Sequence, residues 1–206
     1  MNSSMLFEWL LSNWVEVLGT ILGISYVFLS IKQNLLTWLL GFLTSALYIY
    51  VFFVSKFYAD MALQFYYVWV SIYGWLLWSG GIKTSQGRKP LPVRKVRRKQ
   101  FLVLMGIALG LSFFIYFILK NYTDSPVPAG DAFTTAFSIV ATWMLARKIL
   151  EHWLIWIVVN STSLMLYVYK GLYPTSIMFV IYTIAAVWGY IEWKKDMQRK
   201  DEQQTV

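Results

Sequence analysis

An all-α integral membrane fold of seven transmembrane helices is predicted by three features of the sequence: its hydrophobicity, the spacing of its apolar runs, and the side on which its cations fall. Of 206 residues, 58% are hydrophobic, 19% aromatic and only 14% charged, where a soluble domain carries about 25% charged residues. A soluble fold this short has no interior for that much apolar surface. The composition argues against a soluble enzyme, a nucleic-acid-binding domain and a disordered chain. The lack of cysteine argues against a disulfide-stapled secreted scaffold.

A bilayer core about 30 Å thick needs ~20 mostly apolar residues per helix, with ~17 sufficient. Seven stretches meet this, at 14–31, 35–54, 59–80, 101–119, 131–149, 152–170 and 174–192. Short polar turns divide them: Lys32-Gln33-Asn34, Ser55-Lys56-Phe57 and Lys170-Gly171-Leu172. Pro174 suits the first turn of the last helix, where no backbone donor is needed. The segment Asn121 to Gly130 contains Pro126 and Pro128 and reads as a loop. Residues 5–13 are too short to span and suit an interfacial helix, with Leu6, Trp9 and Leu10 as its apolar side. No positively charged region precedes them, so no cleaved signal peptide is read.

Lys and Arg set the orientation. With seven spans, the loops after the first, third and fifth share a side with the C-terminus and carry 15 of the 18 cations, eight of them between Lys83 and Lys99. The opposite side carries Lys56, Lys120 and Lys170. The N-terminus is therefore expected outside and the C-terminus inside. The net charge of +8 reports this topology rather than a nucleic-acid partner. The basic run 83–99 reads most simply as a solvated cytoplasmic loop, with recognition of anionic lipid as the lesser alternative.

The third and seventh spans resemble each other at an offset of 115 residues, with Tyr58 matching Tyr173, Tyr67 matching Tyr182, Gly74 matching Gly189 and Trp78 matching Trp193. Upstream, Leu29 to Lys32 parallels Leu145 to Lys148, and Trp38 parallels Trp156. The plan reads as a 3+1+3 parallel-repeat arrangement. It comprises an interfacial segment 1–13, a first three-helix repeat 14–80, a basic cytoplasmic loop 81–100, a linking helix 101–119, a second repeat 131–192 and a cytoplasmic tail 193–206. Parallel repeats of this kind build small transporters, with the cargo site near the midplane.

Polar side chains inside spans are costly unless they find a partner or a cavity, which makes each a site candidate. Gln64, Ser71, Trp75 and Trp78 share one face of the third span, and Trp153, Trp156 and Asn160 share one face of the sixth. Gln64 and Asn160 carry amide donors and acceptors suited to a vicinal diol or a carboxamide. Trp156 can stack on a flat, cationic ring. The bland readings stay beside these. The amides can serve as polar glue between helices, and Trp75, Trp78 and Trp193 read as an interfacial belt. Gly19, Gly23, Gly74 and Gly189 read as close-approach points. No phosphate-binding loop or paired metal-ligand pattern appears, and Glu16, Asp60, Asp131 and Glu192 all lie near span ends. Neither a cofactor nor ATP or proton coupling is called for, and passive facilitation is the simplest mechanism. A membrane protein without cargo and a membrane-embedded enzyme are the competing classes; the second lacks a catalytic set.

The stretch Phe57 to Gln64, followed by Ile72-Tyr73-Gly74-Trp75 and Trp78, resembles the third span of PnuC transporters. Trp153 to Asn160 resembles their sixth. The resemblance runs from about Asn13 to Trp193. It implies a 3+1+3 fold similar to an enlarged SWEET fold, in the inner membrane of a bacterium. It implies facilitated diffusion of a vitamin, nicotinamide riboside in first place and thiamine as the alternative, trapped by a cytosolic kinase. It also implies a homotrimer. Carried over by position, Trp156 stacks on the cargo ring, Asn160 and Gln64 bond its polar groups, and Trp153 supports them. Ser71 stands where nicotinamide riboside transporters often carry Asn. Met178 and Trp188 stand where they tend to be polar.

Overall fold

The computed structural model describes residues 14–54, 58–80, 82–84, 87–171 and 173–205; the expected interfacial segment 5–13 lies outside them. Seven helices occur among the described residues: α1 (Trp14–Ile31), α2 (Leu36–Val54), α3 (Tyr58–Gly80), α4 (Arg98–Tyr122), α5 (Pro128–Ala146), α6 (His152–Tyr169) and α7 (Tyr173–Thr205). Their 18 to 33 residues give lengths from about 27 Å upward. By length and composition alone, α4 and residues 175–200 of α7 can cross a bilayer. The apolar surface points the same way. Leu102, Val103, Leu109, Phe113 and Phe114 of α4 are all at least 60% exposed, a row that in a soluble chain would be an adhesive patch.

Several bounds differ from expectation, among them α4, which runs from Arg98 to Tyr122 rather than over 101–119. The fifth helix begins at Pro128 and ends at Ala146, because Pro128 takes the first helical position and Arg147 caps the end. The seventh continues to Thr205 instead of giving way to a tail at 193; its added turns carry a Lys200–Asp196 pair at 2.8 Å, four residues apart. The basic stretch is not merely a solvated loop. It forms an antiparallel hairpin, β1 (Ile82–Thr84) with β2 (Gly87–Lys89), and then a strap. Val93 is buried, Arg94 N–H donates to Lys148 O at 3.0 Å, and Leu150 N–H donates to Arg94 O at 2.9 Å. Val96 N–H donates to Glu151 Oε2 at 2.9 Å.

The chain divides into two compact units, residues 1–72 and 73–206, with the boundary inside α3. In the first, α1 packs on α2. Their turn is closed by Asn34 N–H to Leu29 O (2.9 Å) and Gln33 N–H to Ser30 O (3.0 Å), with Gln33 left-handed at φ 53°. This is a Schellman ending without glycine. In the second unit, α4 packs on α5, α5 on α6 and α6 on α7. There α5 ends identically. Ile149 N–H donates to Met144 O (3.0 Å) and Lys148 N–H to Leu145 O (2.9 Å), and Lys148 is left-handed at φ 49°. Gln33 and Lys148 are 115 residues apart, the offset that aligns α3 with α7. The next helices start alike, through Trp38 N–H to Leu35 O and Trp153 N–H to Leu150 O. The register corrects the earlier pairing: Trp38 corresponds to Trp153, not Trp156, and Lys32 to Arg147. Matching by residue identity had slipped by one to three positions; the turn geometry fixes it.

The α5–α6 hairpin is fastened at its other end by Lys170 Nζ to Asp131 Oδ1 at 3.1 Å. Asp131 lies in the first turn of α5, where a carboxylate suits the helix dipole. Between α6 and α7, a Cβ at Gly189 would lie 2.6 Å from the Trp153 indole, so Gly189 is a close-approach point, as expected. Gly189→Ala should destabilise the protein by about 1–3 kcal/mol through overpacking, read as a lower unfolding temperature in detergent.

Candidate functional site: two shielded polar helix faces

The expected site residues lie on the shielded sides of α3 and α6. On α6, Leu154, Val158, Met165 and Val168 are 42–70% exposed and form one stripe. Opposite it, Asn160 and Ser163 are each 6% exposed, and Trp156 packs against the buried cluster that holds Leu104, Val140, Ile155 and Val159. On α3, Phe65, Trp69, Ile72 and Leu76 are exposed, while Ser71 is buried and Gln64 half-buried. Ser71 Oγ lies 2.9 Å from where a Cβ on Gly41 would stand, so Ser71 packs directly against the bare backbone of Gly41, where a side chain would clash.

Hydrogen bonding separates structural hydroxyls from available ones. Ser30, Thr134, Thr142, Thr162 and Thr183 each donate to a carbonyl four residues back, at 2.7–3.0 Å. This is how a hydroxyl is satisfied inside a span. Among the described residues, the side chains of Gln64, Ser71 and Asn160 have no hydrogen bond. Ser45 and Ser163 share this property and were missed in the sequence, because a serine in a span usually back-bonds. The register of 115 would have found Ser45, which is 5% exposed and corresponds to Asn160. In the same register Trp156 corresponds to Gly41.

The structure places Trp153 elsewhere than Trp156. It is 3% exposed and lies in an aromatic joint, 4.5 Å from the His152 ring and 5.7 Å from that of Trp193. His152 is fully buried, with Nδ1 2.7 Å from Ile149 O. The expected lipid-facing belt at Trp78 and Trp193 is corrected. Trp193 is fully buried, and Trp78 donates its Nε1–H to Ala146 O at 3.0 Å. The last carbonyls of a helix need donors, and Trp78 supplies one to α5. Trp75 alone of the three is exposed, at 36%.

At the α5–α6 turn, Lys148 is 6% exposed with its ammonium 4.5 Å from the Trp78 ring centroid. Burial, and then the charge of Lys200, lower its pKa from 10.5 to about 8, against the pull of Asp196. The folded state thus holds this proton less tightly than the unfolded chain. Stability should rise between about pH 8 and pH 10.5 as the proton is lost. The full penalty applies below that window. Lys148→Met should flatten the rise, measured as unfolding temperature against pH.

Seven mostly apolar helices with shielded, unbonded polar groups fit a multi-pass membrane transporter. Comparison with known proteins sharpens this. The sequence profile of the nicotinamide mononucleotide transporter family matches residues 13–195, and the chain belongs to that family. It is 25% identical to the nicotinamide riboside transporter PnuC of Escherichia coli (strain K12), over 88% of this chain and 85% of that one. It is 27% identical to the riboflavin/roseoflavin transporter RibM of Streptomyces davaonensis, over 87% and 84%. A crystal structure of the vitamin B3 transporter PnuC superposes with a TM-score of 0.72 at 25% identity, covering 95% of this chain and 87% of that one. The thiamine alternative gains no support from these relatives.

Proposed function

We propose that this chain carries nicotinamide riboside into a bacterial cell by facilitated diffusion across the cytoplasmic membrane. A cytosolic kinase traps the cargo by phosphorylation. The cargo is a flat cation bearing a carboxamide and a ribose. Trp156 stacks on its ring, Asn160 and Gln64 bond its amide and hydroxyls, Ser71 adds a hydroxyl and Trp153 holds the α6 face in place. The observation that carries this reading is the set of buried or half-buried polar side chains left unbonded inside spans, where an unmet group is otherwise a net loss. The names of the PnuC relatives support the cargo. The shared turns, burial and register of α1–α3 and α5–α7 support the 3+1+3 parallel-repeat plan, similar to an enlarged SWEET fold, with α4 as the linker. The homotrimer rests on the family resemblance alone.

Calorimetric titration of the purified protein tests the cargo. Nicotinamide riboside should bind, and Asn160→Ala should weaken it about tenfold or more, since a lost buried hydrogen bond to a ligand also strands its partner. Binding of riboflavin in its place, or unchanged affinity in Asn160→Ala, would overturn the assignment. The asymmetry of 15 cations to 3 supports an outer N-terminus and an inner C-terminus. The native sequence has no cysteine, so Ser125→Cys should react with an impermeant maleimide on intact cells, and Lys195→Cys only after permeabilisation.

A further inference from the structure

The α5–α6 turn and the strap docked on it bring in two guanidinium groups, Arg147 and Arg94, that lie outside the proposed cargo site. Arg147 lies with its Cζ 4.5 Å from the Trp143 ring centroid and 5.6 Å from that of Tyr73. Its Nε–H is buried and has no hydrogen-bond acceptor among the described residues. Arg94 is fixed through its backbone to Lys148 and Leu150 and through one guanidinium nitrogen to Gln100 Oε1 at 3.1 Å. Neither arginine belongs to an ion pair among the described residues, whose pairs are Lys170–Asp131, Lys195–Glu192 and Lys200–Asp196. Glu151, the carboxylate that favours the Arg94 charge, already accepts a bond from Val96 N–H. Burial, and then the charges of Arg147 and Arg97, hold the Arg94 pKa below its ordinary value.

We propose that the α5–α6 turn binds the phosphate head group of an anionic membrane lipid, held by Arg147 and Arg94. Two like-charged forks, each fixed before any ligand arrives, match the bidentate chemistry of a phosphate oxyanion. A buried donor without an acceptor is a standing loss that an incoming oxygen removes. The surroundings favour a lipid over a free ion. Trp143 and Tyr73 are the residue types that sit at head-group level. The strap leads directly into α4, whose first turns present Phe101, Leu102 and Val103 at 41%, 62% and 60% exposure. That gives acyl chains an apolar bed beside the cationic turn, as in basic pockets between helices that hold anionic lipids. The site rests on the chain being a membrane protein and is independent of the cargo assignment.

The test is native mass spectrometry of delipidated full-length protein, titrated with phosphatidylglycerol or with phosphatidylcholine of the same acyl chains. The wild-type protein should retain phosphatidylglycerol selectively. The double variant Arg94→Gln, Arg147→Gln should lose about thirtyfold of that affinity, one decade or less per cation at a membrane surface. Lys195→Gln, which removes one exposed cation from α7, should retain it. Each variant is first checked for a single size-exclusion peak, and Arg147→Lys replaces Arg147→Gln if the double variant is unfolded; it keeps the charge, loses the fork and should weaken binding less. Equal retention of both lipids would overturn the site. So would an unchanged affinity in folded variants, or stabilisation by inorganic phosphate equal to that by the lipid. Vitamin binding measured on the same variants stays at the wild-type value, so failure here is distinguishable from failure of the cargo assignment.

Discussion

Inside a bilayer, a polar group that is not bonded within the protein has no water to turn to, and this constraint governs the molecule. It forces the backbone into helices, whose N–H and C=O groups are met internally. It then acts on side chains. Five hydroxyls spend their donor on a carbonyl one turn back, and an indole closes the open end of α5. Against that background, the amides of Gln64 and Asn160 and the hydroxyls of Ser71, Ser45 and Ser163 are unbonded, as are the buried hydroxyls of Thr37 and Ser112. The proposed site draws on the first three of these.

The same constraint makes two of the hairpin turns alike. Each hairpin turn needs its last carbonyls bonded, and both α1 and α5 meet this with the same two backbone bonds and a left-handed non-glycine residue. Side chains have drifted around this skeleton. Ser45 corresponds to Asn160 and Thr37 to His152, yet the members of each pair are buried alike. Burial is set by which way a helix faces; residue type is set by what that face must do.

Much of the fold was legible in the sequence, because seven apolar runs at bilayer length leave few alternatives, and helix starts such as Pro128 and Pro174 are fixed by proline chemistry. The strap at 93–96 was not. Its charge density resembles that of a solvated loop, and the two valines that dock it are too few to stand out. The roles of Trp78 and Trp193 were misassigned for a related reason. A tryptophan near a span end suits a lipid interface equally well as a helix–helix joint, and only the full burial of Trp193 and the bond from Trp78 to Ala146 O decide between them. The burial of Ser71 and Asn160 agrees with helix periodicity, while Trp75, expected on the Ser71 face, is exposed. Ser45 and Ser163 were not found, since whether a serine back-bonds cannot be read from its position.

The glycine-free turns at Gln33 and Lys148 also bear on how such a molecule moves. A left-handed residue with a side chain has a narrower backbone well than glycine, and the Lys148 turn is further pinned by the strap. The α1–α2 and α5–α6 hairpins are therefore stiff levers hinged elsewhere. On the far side of the bilayer, the α6–α7 connection contains Gly171 at φ 73°, with open space around its Cα. A change of shape in the second unit would therefore concentrate at the α6–α7 connection, leaving the strapped α5–α6 turn unmoved.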